Sequence, residues 1–169
     1  MKLRINSLKE GSQTIEMTLT KSDLAISDKI FIKPILATLN IYKSPYQITI
    51  KAQLKTEVDL QCDRCLKTFQ RSLDTSFQTI LNPRGSGRDT SDENIIPIGM
   101  HTNEVDLSPF AHDALLTELP MKNLCSETCK GICPKCGADL NNGLCTCQTS
   151  EKDERWTPLK NLLTNIEEE

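Results

Sequence analysis

Eight cysteines restrict what this chain can fold into more than any other feature of the sequence. Six of them fall within residues 125–147, and the other two lie upstream in a Cys-Asp-Arg-Cys motif; the set is Cys62, Cys65, Cys125, Cys129, Cys133, Cys136, Cys145 and Cys147. Thiolates gathered in close pairs suit a soft cation with tetrahedral coordination, and eight of them suffice for two such sites. The sequence therefore predicts two metal sites, with zinc as the first candidate ion.

The cysteine-rich stretch has too few apolar side chains to fold without help. Burial of its other apolar residues is too small to offset the conformational entropy of ordering the segment; they are Ile132, Ala138, Leu140 and Leu144. A structural zinc ion contributes an apparent binding free energy of about 10 to 16 kcal/mol, which here acts as folding free energy. Between the paired thiols Pro134 pre-sets one backbone angle of a tight turn, and Gly137 permits a positive φ. This local chemistry is typical of a zinc knuckle.

Disulfides and iron–sulfur clusters are the alternatives to zinc. The first residues, MKLRINSLKEGS, lack the apolar core of a signal peptide, which favours a reducing, cytoplasmic location where clustered cysteines more often bind metal. The spacing of Cys129, Cys133 and Cys136 matches the CxxxCxxC pattern of radical-SAM cluster motifs. Such enzymes resemble barrel folds of about 200 residues or more, whereas here most of the chain precedes the motif. Zinc is therefore preferred.

Length and charge bound the remaining possibilities. With 169 residues, 37% of them hydrophobic, the chain fits one compact domain plus a metal-stapled appendage. It has no run of eighteen apolar residues, so we expect no membrane span, and 4% aromatic residues argue against a large aromatic-lined pocket for a small-molecule substrate. Residues 1–90 carry 14 Lys and Arg against 9 Asp and Glu, whereas residues 91–169 carry 6 against 14. This split fits either a basic surface beside an acidic one or an uneven scatter of solvated charges.

Alternating apolar residues predict an antiparallel β core. From residue 46 to residue 62 the even positions are mostly apolar and the odd ones polar, and this strand is so long that we expect a bulge or bend within it. Residues 62–65 form the turn of a hairpin. The returning strand carries a stripe at Phe69, Leu73, Phe77 and Leu81, which also fits a helix, but its threonines favour a strand. Shorter strands are predicted near residues 3–8, 14–20, 35–41 and 95–98.

Two helices complete the predicted layout. Residues 106–119 form the first, with Asp106 or Ser108 as N-cap, Pro109 in the first turn and Pro120 at the end. The predicted fold is α+β: a mainly antiparallel β-sheet or partial barrel, one or two packed helices and a cysteine-rich zinc ribbon near the C-terminus. Its parts are a β core with the first helix over 1–120, a mobile linker over 84–94, a zinc-stapled ribbon over 121–148 tied to the 62–65 knuckle, and a C-terminal helix over 153–167.

The sequence offers little for catalysis. Its two histidines are His101 and His112, and the second is expected on the polar face of a helix. Zinc sites built only from thiolates leave no open position for an activated water. The sequence has no phosphate-binding glycine loop and no serine elbow. We therefore predict that the chain is not an enzyme.

A group of basic residues favours nucleic-acid binding. They are spread along the predicted hairpin and are Lys51, Lys55, Arg64, Lys67 and Arg71. An ordinary solvated face is the alternative. A stacking platform for single strands is disfavoured because Phe69 and Phe77 have the spacing of core residues.

Four segments give the chain a resemblance to a known family. The segments "VDLQCDRCLKTF", "VDLSPFAHDALLTELPMKNLC", "CKGICPKCGADLN" and "DERWTPLKNLL", in this order, resemble the large ribosomal RNA subunit accumulation protein family, YceD, over residues 48–163. The resemblance implies a non-enzymatic factor that supports 23S rRNA accumulation and large-subunit assembly, with a large-subunit rRNA precursor or ribosomal protein as partner. A redox or iron–sulfur-dependent enzyme is the alternative.

The resemblance also implies how the cysteines are divided. In related sequences the residue that matches Cys125 can be histidine, and the CPxCG motif with its partner cysteines can be missing. One quartet is then Cys62, Cys65, Cys125 and Cys129, and a separable second is Cys133, Cys136, Cys145 and Cys147. The one-residue spacing of Cys145 and Cys147 sends their side chains to opposite sides of a strand, so both bind one ion only if a turn intervenes.

Overall fold

A computed structural model of the chain describes residues 1–26, 30–82, 94–99 and 101–147. The chain divides into two compact units, Met1–Cys129 and Lys130–Glu169. The helix expected over 153–167 lies outside the described residues, as does the expected linker except for Asn94. None of the helices among the described residues is long and apolar enough to cross a membrane.

The first unit is a mainly antiparallel sheet with one α-helix and two short 3-10 helices, Ile5–Ser7 and Lys21–Leu24, among its described residues. The strands are β1 (Lys2–Arg4), β2 (Gly11–Leu19), β3 (Ile35–Lys43), β4 (Ile48–Gln61), β5 (Thr68–Asn82), β6 (Ile95–Pro97) and β7 (Glu104–Asp106), and the helix is α1 (Ser108–Thr117). Strands β2 to β6 form one sheet in chain order, antiparallel except that β6 runs parallel to β5, and β1 pairs with β7 in a small second sheet. The predicted fold class is confirmed.

The long strand β4 follows the sequence pattern closely. Its even-numbered residues from Ile48 to Leu60 are buried, and its odd-numbered residues face solvent wholly or in part. Its pairing with β5 runs without interruption from the Ile48–Leu81 pair to the Gln61–Thr68 pair. The expected bulge is therefore absent, because an extra residue would have moved every later apolar side chain to the solvent face. The segment after the hairpin turn is a strand, as predicted.

Helix α1 packs on the apolar face of the sheet. Ala111 and Leu115 are buried in the common core, and the ring of Phe110 stacks on that of Phe77 with centroids 6.1 Å apart. The helix is shorter than the predicted span of 106–119, and its N-cap position is Leu107, which makes no side-chain cap. Asp106 accepts a hydrogen bond from the backbone N–H of Ser108 at 2.8 Å and so still supports the first turn.

Substitution of two leucines in β3 tests which face of the sheet packs against the core. Leu39 is fully buried and Leu36, on the opposite face, is 58% exposed. We expect Leu39→Ala to lower the free energy of unfolding by about 2 to 5 kcal/mol, because the substitution leaves a cavity. The matched control Leu36→Ala changes it by less than about 1 kcal/mol. Urea unfolding of the metal-loaded chain measures both, and equal losses would contradict the assignment of faces.

Candidate metal centres

The eight cysteines lie in two groups of four. In each group the four sulfur atoms are all within 4.8 Å of one another, and each group consists of one of the quartets that the family resemblance implies. The first quartet (Cys62, Cys65, Cys125 and Cys129) lies within the first unit, and the second (Cys133, Cys136, Cys145 and Cys147) lies within the second unit. Each unit thus contains a complete set of four donors.

The first quartet joins parts of the chain that are far apart in sequence. Cys62 and Cys65 flank the turn between β4 and β5, whereas Cys125 and Cys129 follow α1. Asp63 in this turn and Asn123, just before Cys125, bind each other reciprocally, since the backbone N–H of each donates to an oxygen of the other at 2.7 Å. These contacts align the turn with the segment that follows α1.

Arg64 adds a second link between the same segments. Its guanidinium donates to the backbone carbonyls of Cys129, at 2.8 Å, and Glu127, at 3.3 Å. Guanidinium donors are well suited to such a fork of acceptors. The two residues between the first pair of thiols, Asp63 and Arg64, therefore position the second pair.

Sulfur spacing in the first quartet fits one tetrahedral ion. The sulfurs of Cys62 and Cys129 are 3.9 Å apart, and those of Cys65 and Cys125 are 3.6 Å apart. Zn–S bonds of about 2.3 Å in a tetrahedron separate the sulfurs by about 3.8 Å. An iron–sulfur cube binds its thiolates on separate irons and holds them farther apart. The geometry fits a single ion such as zinc better than a cluster.

The second quartet is formed by a short turn and the segment that follows it. The turn is closed by a bridge between Ile132 and Asp139 and by a hydrogen bond from the Leu140 N–H to the Gly131 carbonyl at 2.9 Å. Cys145 and Cys147 do not lie in a strand, because the chain bends at Thr146. This bend is the turn that the one-residue spacing required, and it brings both sulfurs to the same site.

Both cysteine pairs adopt the same backbone turn. The N–H of Cys62 donates to the Lys67 carbonyl and its own carbonyl accepts from Leu66, both at 2.9 Å. In the second unit Cys133 makes the equivalent two bonds, with Ala138 and Gly137, at 2.8 Å each. The residue after the second cysteine is left-handed in both turns.

That position is occupied by a glycine in one turn and by a leucine in the other. Gly137 has φ of +72° and Leu66 has φ of +60°. A left-handed backbone costs a residue other than glycine about 1 to 2 kcal/mol. Sequence reasoning identified the turn at Gly137 and missed Leu66, although the shared Cys-x-x-Cys spacing contained the signal.

Each quartet also needs a cation to be fully ionised. The backbone N–H groups of Cys125 and Cys65 lower the pKa of Cys62 to about 6, and those of Cys136 and Lys135 lower the pKa of Cys133 to about 6. One other thiol in each quartet is shifted in the opposite direction. The Cys65 side chain raises the pKa of Cys125 to about 12, and the Cys136 side chain raises the pKa of Cys147 to about 12. Four thiolates this close repel one another, so a bound cation is required for all to be ionised.

The five basic candidates do not share one surface. Lys51 and Lys55 lie on the exposed face of β4, and Lys55 pairs with Asp74 at 3.1 Å. Arg71 opposes the buried Val58 and so belongs to the other face of the sheet. Arg64 binds the two carbonyls described above, and Lys67 lies at the end of the first cysteine turn. Sequence reasoning placed all five on one hairpin, but the division between faces depends on the pairing register.

Comparison with known proteins gives one family and two relatives. A family model described as "Large ribosomal RNA subunit accumulation protein YceD" matches residues 50–163. A chloroplastic YCED homolog 1 of Arabidopsis thaliana is 24% identical over 161 residues, covering 80% of this chain and 50% of the relative. Its namesake from Zea mays is 20% identical over 143 residues, covering 68% and 49%. The chain spans about half the length of these relatives, and no solved structure gives a significant match.

Metal content tests whether both quartets are occupied. We expect the purified chain to contain about two zinc ions, one for each set of four thiolates. Cys147→Ser removes one donor from the second quartet and is expected to reduce the content to about one, whereas the neighbouring control Thr146→Ser keeps both ions. Elemental analysis gives the counts. Two ions in the Cys147→Ser chain would show that this cysteine is not an essential ligand.

Hydrogen exchange tests how far each site supports the fold. Loss of the first site by Cys62→Ser is expected to speed amide exchange in β4, β5 and the segment around Cys125, because these distant parts share the site. Loss of the second site by Cys136→Ser is expected to speed exchange only within residues 130–147. Exchange measured by mass spectrometry on both variants decides the matter. Changes restricted to residues 125–147 in both would contradict the assignment.

Proposed function

This chain belongs to the family of large ribosomal RNA subunit accumulation proteins, YceD, and from that premise we propose that it is a non-enzymatic factor in assembly of the large ribosomal subunit. The two plant relatives carry the same description in their names. In this proposal the chain supports 23S rRNA accumulation by binding the large-subunit precursor, through its rRNA or a ribosomal protein. The cytoplasmic location stays a prediction from the sequence, since both relatives are named chloroplastic.

The observation that carries a non-enzymatic role is the composition of the two quartets. Each group consists only of cysteines, and a zinc ion with four thiolate ligands has no position left for water or substrate. Zinc in the first quartet would link the β4–β5 turn to the segment after α1. Such a link stabilises the fold and is a structural role. We therefore propose zinc as the metal of both sites, with folding as its role.

A redox or iron–sulfur-dependent enzyme is the competing function. The short sulfur separations in the first quartet, 3.6 Å and 3.9 Å, favour a single ion over a cluster. Absorption spectra of chain purified without oxygen separate the two, because zinc thiolates are colourless and iron–sulfur clusters absorb visible light.

The placement of the basic residues favours association through a protein. Of the five basic candidates, only Lys51 and Lys55 lie on the exposed face of β4, and Lys55 already pairs with the carboxylate of Asp74. Such a face offers few unpaired cations to phosphate, and phosphate contacts supply most non-specific nucleic-acid affinity. Direct rRNA contact by these two lysines is therefore our second proposal.

Sedimentation with ribosomal precursors tests both proposals. We expect the chain to co-sediment with large-subunit precursors, and its deletion to lower 23S rRNA relative to small-subunit rRNA. The double variant Lys51→Glu/Lys55→Glu is expected to keep co-sedimentation and zinc content. The control Arg71→Glu reverses a charge on the other face of the sheet and is expected to keep both as well.

Two results would change this view. Loss of co-sedimentation in the lysine variant alone, together with a weaker salt dependence, would assign rRNA contact to the outer face. The proposed function would be excluded by two negative results together: the unmodified chain does not co-sediment with large-subunit precursors at low salt, and its deletion leaves 23S rRNA levels unchanged.

A further inference from the structure

Strand β5 has an edge that is open among the residues that the structure describes. It pairs with β4 from Thr68 to Leu81, but β6 covers only Ile80–Asn82 on the other side. Among the residues that the structure describes, no strand pairs with the second edge of β5 before Ile80. The strand has no proline before that point and its register with β4 is continuous, so it lacks two devices that natural sheets use to block an exposed edge.

The direction of the free backbone groups along this edge follows from the bonds to β6. The N–H of Ile80 donates to the Asn94 carbonyl at 2.9 Å, and the Asn82 carbonyl accepts from the Ile98 N–H at 3.0 Å. Even-numbered residues of β5 therefore direct their backbone groups away from β4. Because these directions alternate along a strand, the groups of Ser72, Asp74 and Ser76 also point to the open edge.

A groove runs beside this edge, between β5 and α1. Its volume is about 460 Å³, and its apolar lining includes the stacked rings of Phe77 and Phe110 together with Ala114. The charged residues that line it are Asp113 and Glu118, both acidic and both exposed. The groove thus combines backbone hydrogen-bonding groups, an aromatic floor and a negatively charged rim.

We propose that this edge and groove bind an extended, basic peptide segment of a partner protein as an added β-strand. Backbone groups along β5 would pair with the peptide backbone, alternate peptide side chains would enter the groove, and the carboxylates of Asp113 and Glu118 would attract its cations. The same carboxylates repel phosphate, which makes RNA a poor occupant. The inference rests on the proposed function in one respect: the partner protein that supplies the peptide belongs to the large-subunit precursor.

Binding of a synthetic peptide to the full, zinc-loaded chain is the primary test. The probe is a short fluorescein-labelled peptide in which lysine alternates with valine. One control peptide has glutamate in place of lysine, and another has alternate backbone nitrogens methylated. We expect the lysine peptide alone to bind and to protect the amides of Ser72, Asp74 and Ser76 from exchange.

Substitution of Ser76 tests the backbone contact. Ser76→Pro removes an N–H that points away from β4, so the ladder with β4 stays intact, and edge strands tolerate proline at such positions. We expect about tenfold weaker peptide binding from the lost hydrogen bond and the ring's obstruction. The matched control Ser76→Ala changes only the side chain and keeps affinity. Zinc content and the amide spectrum verify the fold of each variant.

A charge variant keeps the proposal testable if Ser76→Pro does not fold. The pair Asp113→Lys/Glu118→Lys lies on exposed positions of α1 and its end, and we expect it to weaken the lysine peptide about tenfold and to admit the glutamate peptide. Glu16→Lys makes the same kind of change on the outer face of β2 and is expected to leave both affinities unchanged.

Other occupants of the edge would overturn the proposal, and each gives a distinct result. Edge amides protected in the free chain at every concentration, without peptide binding, would show that another segment of this chain lies there. Protection that rises with concentration, together with a dimeric mass, would indicate a second copy. Binding of single-stranded RNA that Ser76→Pro abolishes would indicate nucleic acid.

Co-sedimentation separates failure of this inference from failure of the proposed function. If both the unmodified chain and Ser76→Pro co-sediment with large-subunit precursors and neither binds the lysine peptide, the docking inference is wrong and the function stands. If the lysine peptide binds as expected but the unmodified chain does not co-sediment, the function is wrong and the docking site stands.

Discussion

The convergence of four sulfurs at the tip of the β4–β5 hairpin is the constraint on which the first unit depends. Three of these cysteines, Cys62, Cys65 and Cys129, are buried, and all four sulfurs lie within 4.8 Å of one another. A hydrogen bond with the Cys65 side chain, together with burial, raises the pKa of Cys125 to about 12, so a chain without an ion keeps protons on this cluster. Metal binding must displace these protons, which couples folding of the hairpin tip to both metal and pH.

The left-handed Leu66 shows that this turn tolerates strain. Its backbone, at φ of +60°, follows the same hydrogen-bonding pattern as the glycine-containing turn of the second unit. The backbone N–H groups that lower the pKa of Cys62 belong to Cys125 and Cys65, so both segments contribute to holding this thiolate. We infer that the gain from holding a thiolate and its ion exceeds the cost of about 1 to 2 kcal/mol for a left-handed leucine.

The sequence was sufficient for features that repeat with a fixed period and insufficient for those that depend on register. The alternation from Ile48 to Leu60 predicted β4 and its buried face, and cysteine spacing with the family resemblance predicted both quartets. The positions of Lys55 and Arg71 on opposite faces could not be predicted, because they follow from the pairing of Val58 with Arg71 across the hairpin. The open edge of β5 could not be predicted for a related reason. It depends on the order of strands in the sheet and on the short pairing with β6, and both are properties of the tertiary structure.

The first quartet and the open edge are connected through that same register. Cys65 lies three residues before β5 begins, so the cysteine turn fixes which residue of β5 stands opposite each residue of β4. A slip by one residue would exchange the two faces of β5 and would turn the backbone groups of Ser76 toward β4. The apolar face, with Leu73 and Leu81 buried, already opposes such a slip, and the fixed turn opposes it from the other end. A metal ion at the tip would thus help to determine which backbone groups the edge presents to a partner, although none of the residues that line the groove beside α1 belongs to either quartet.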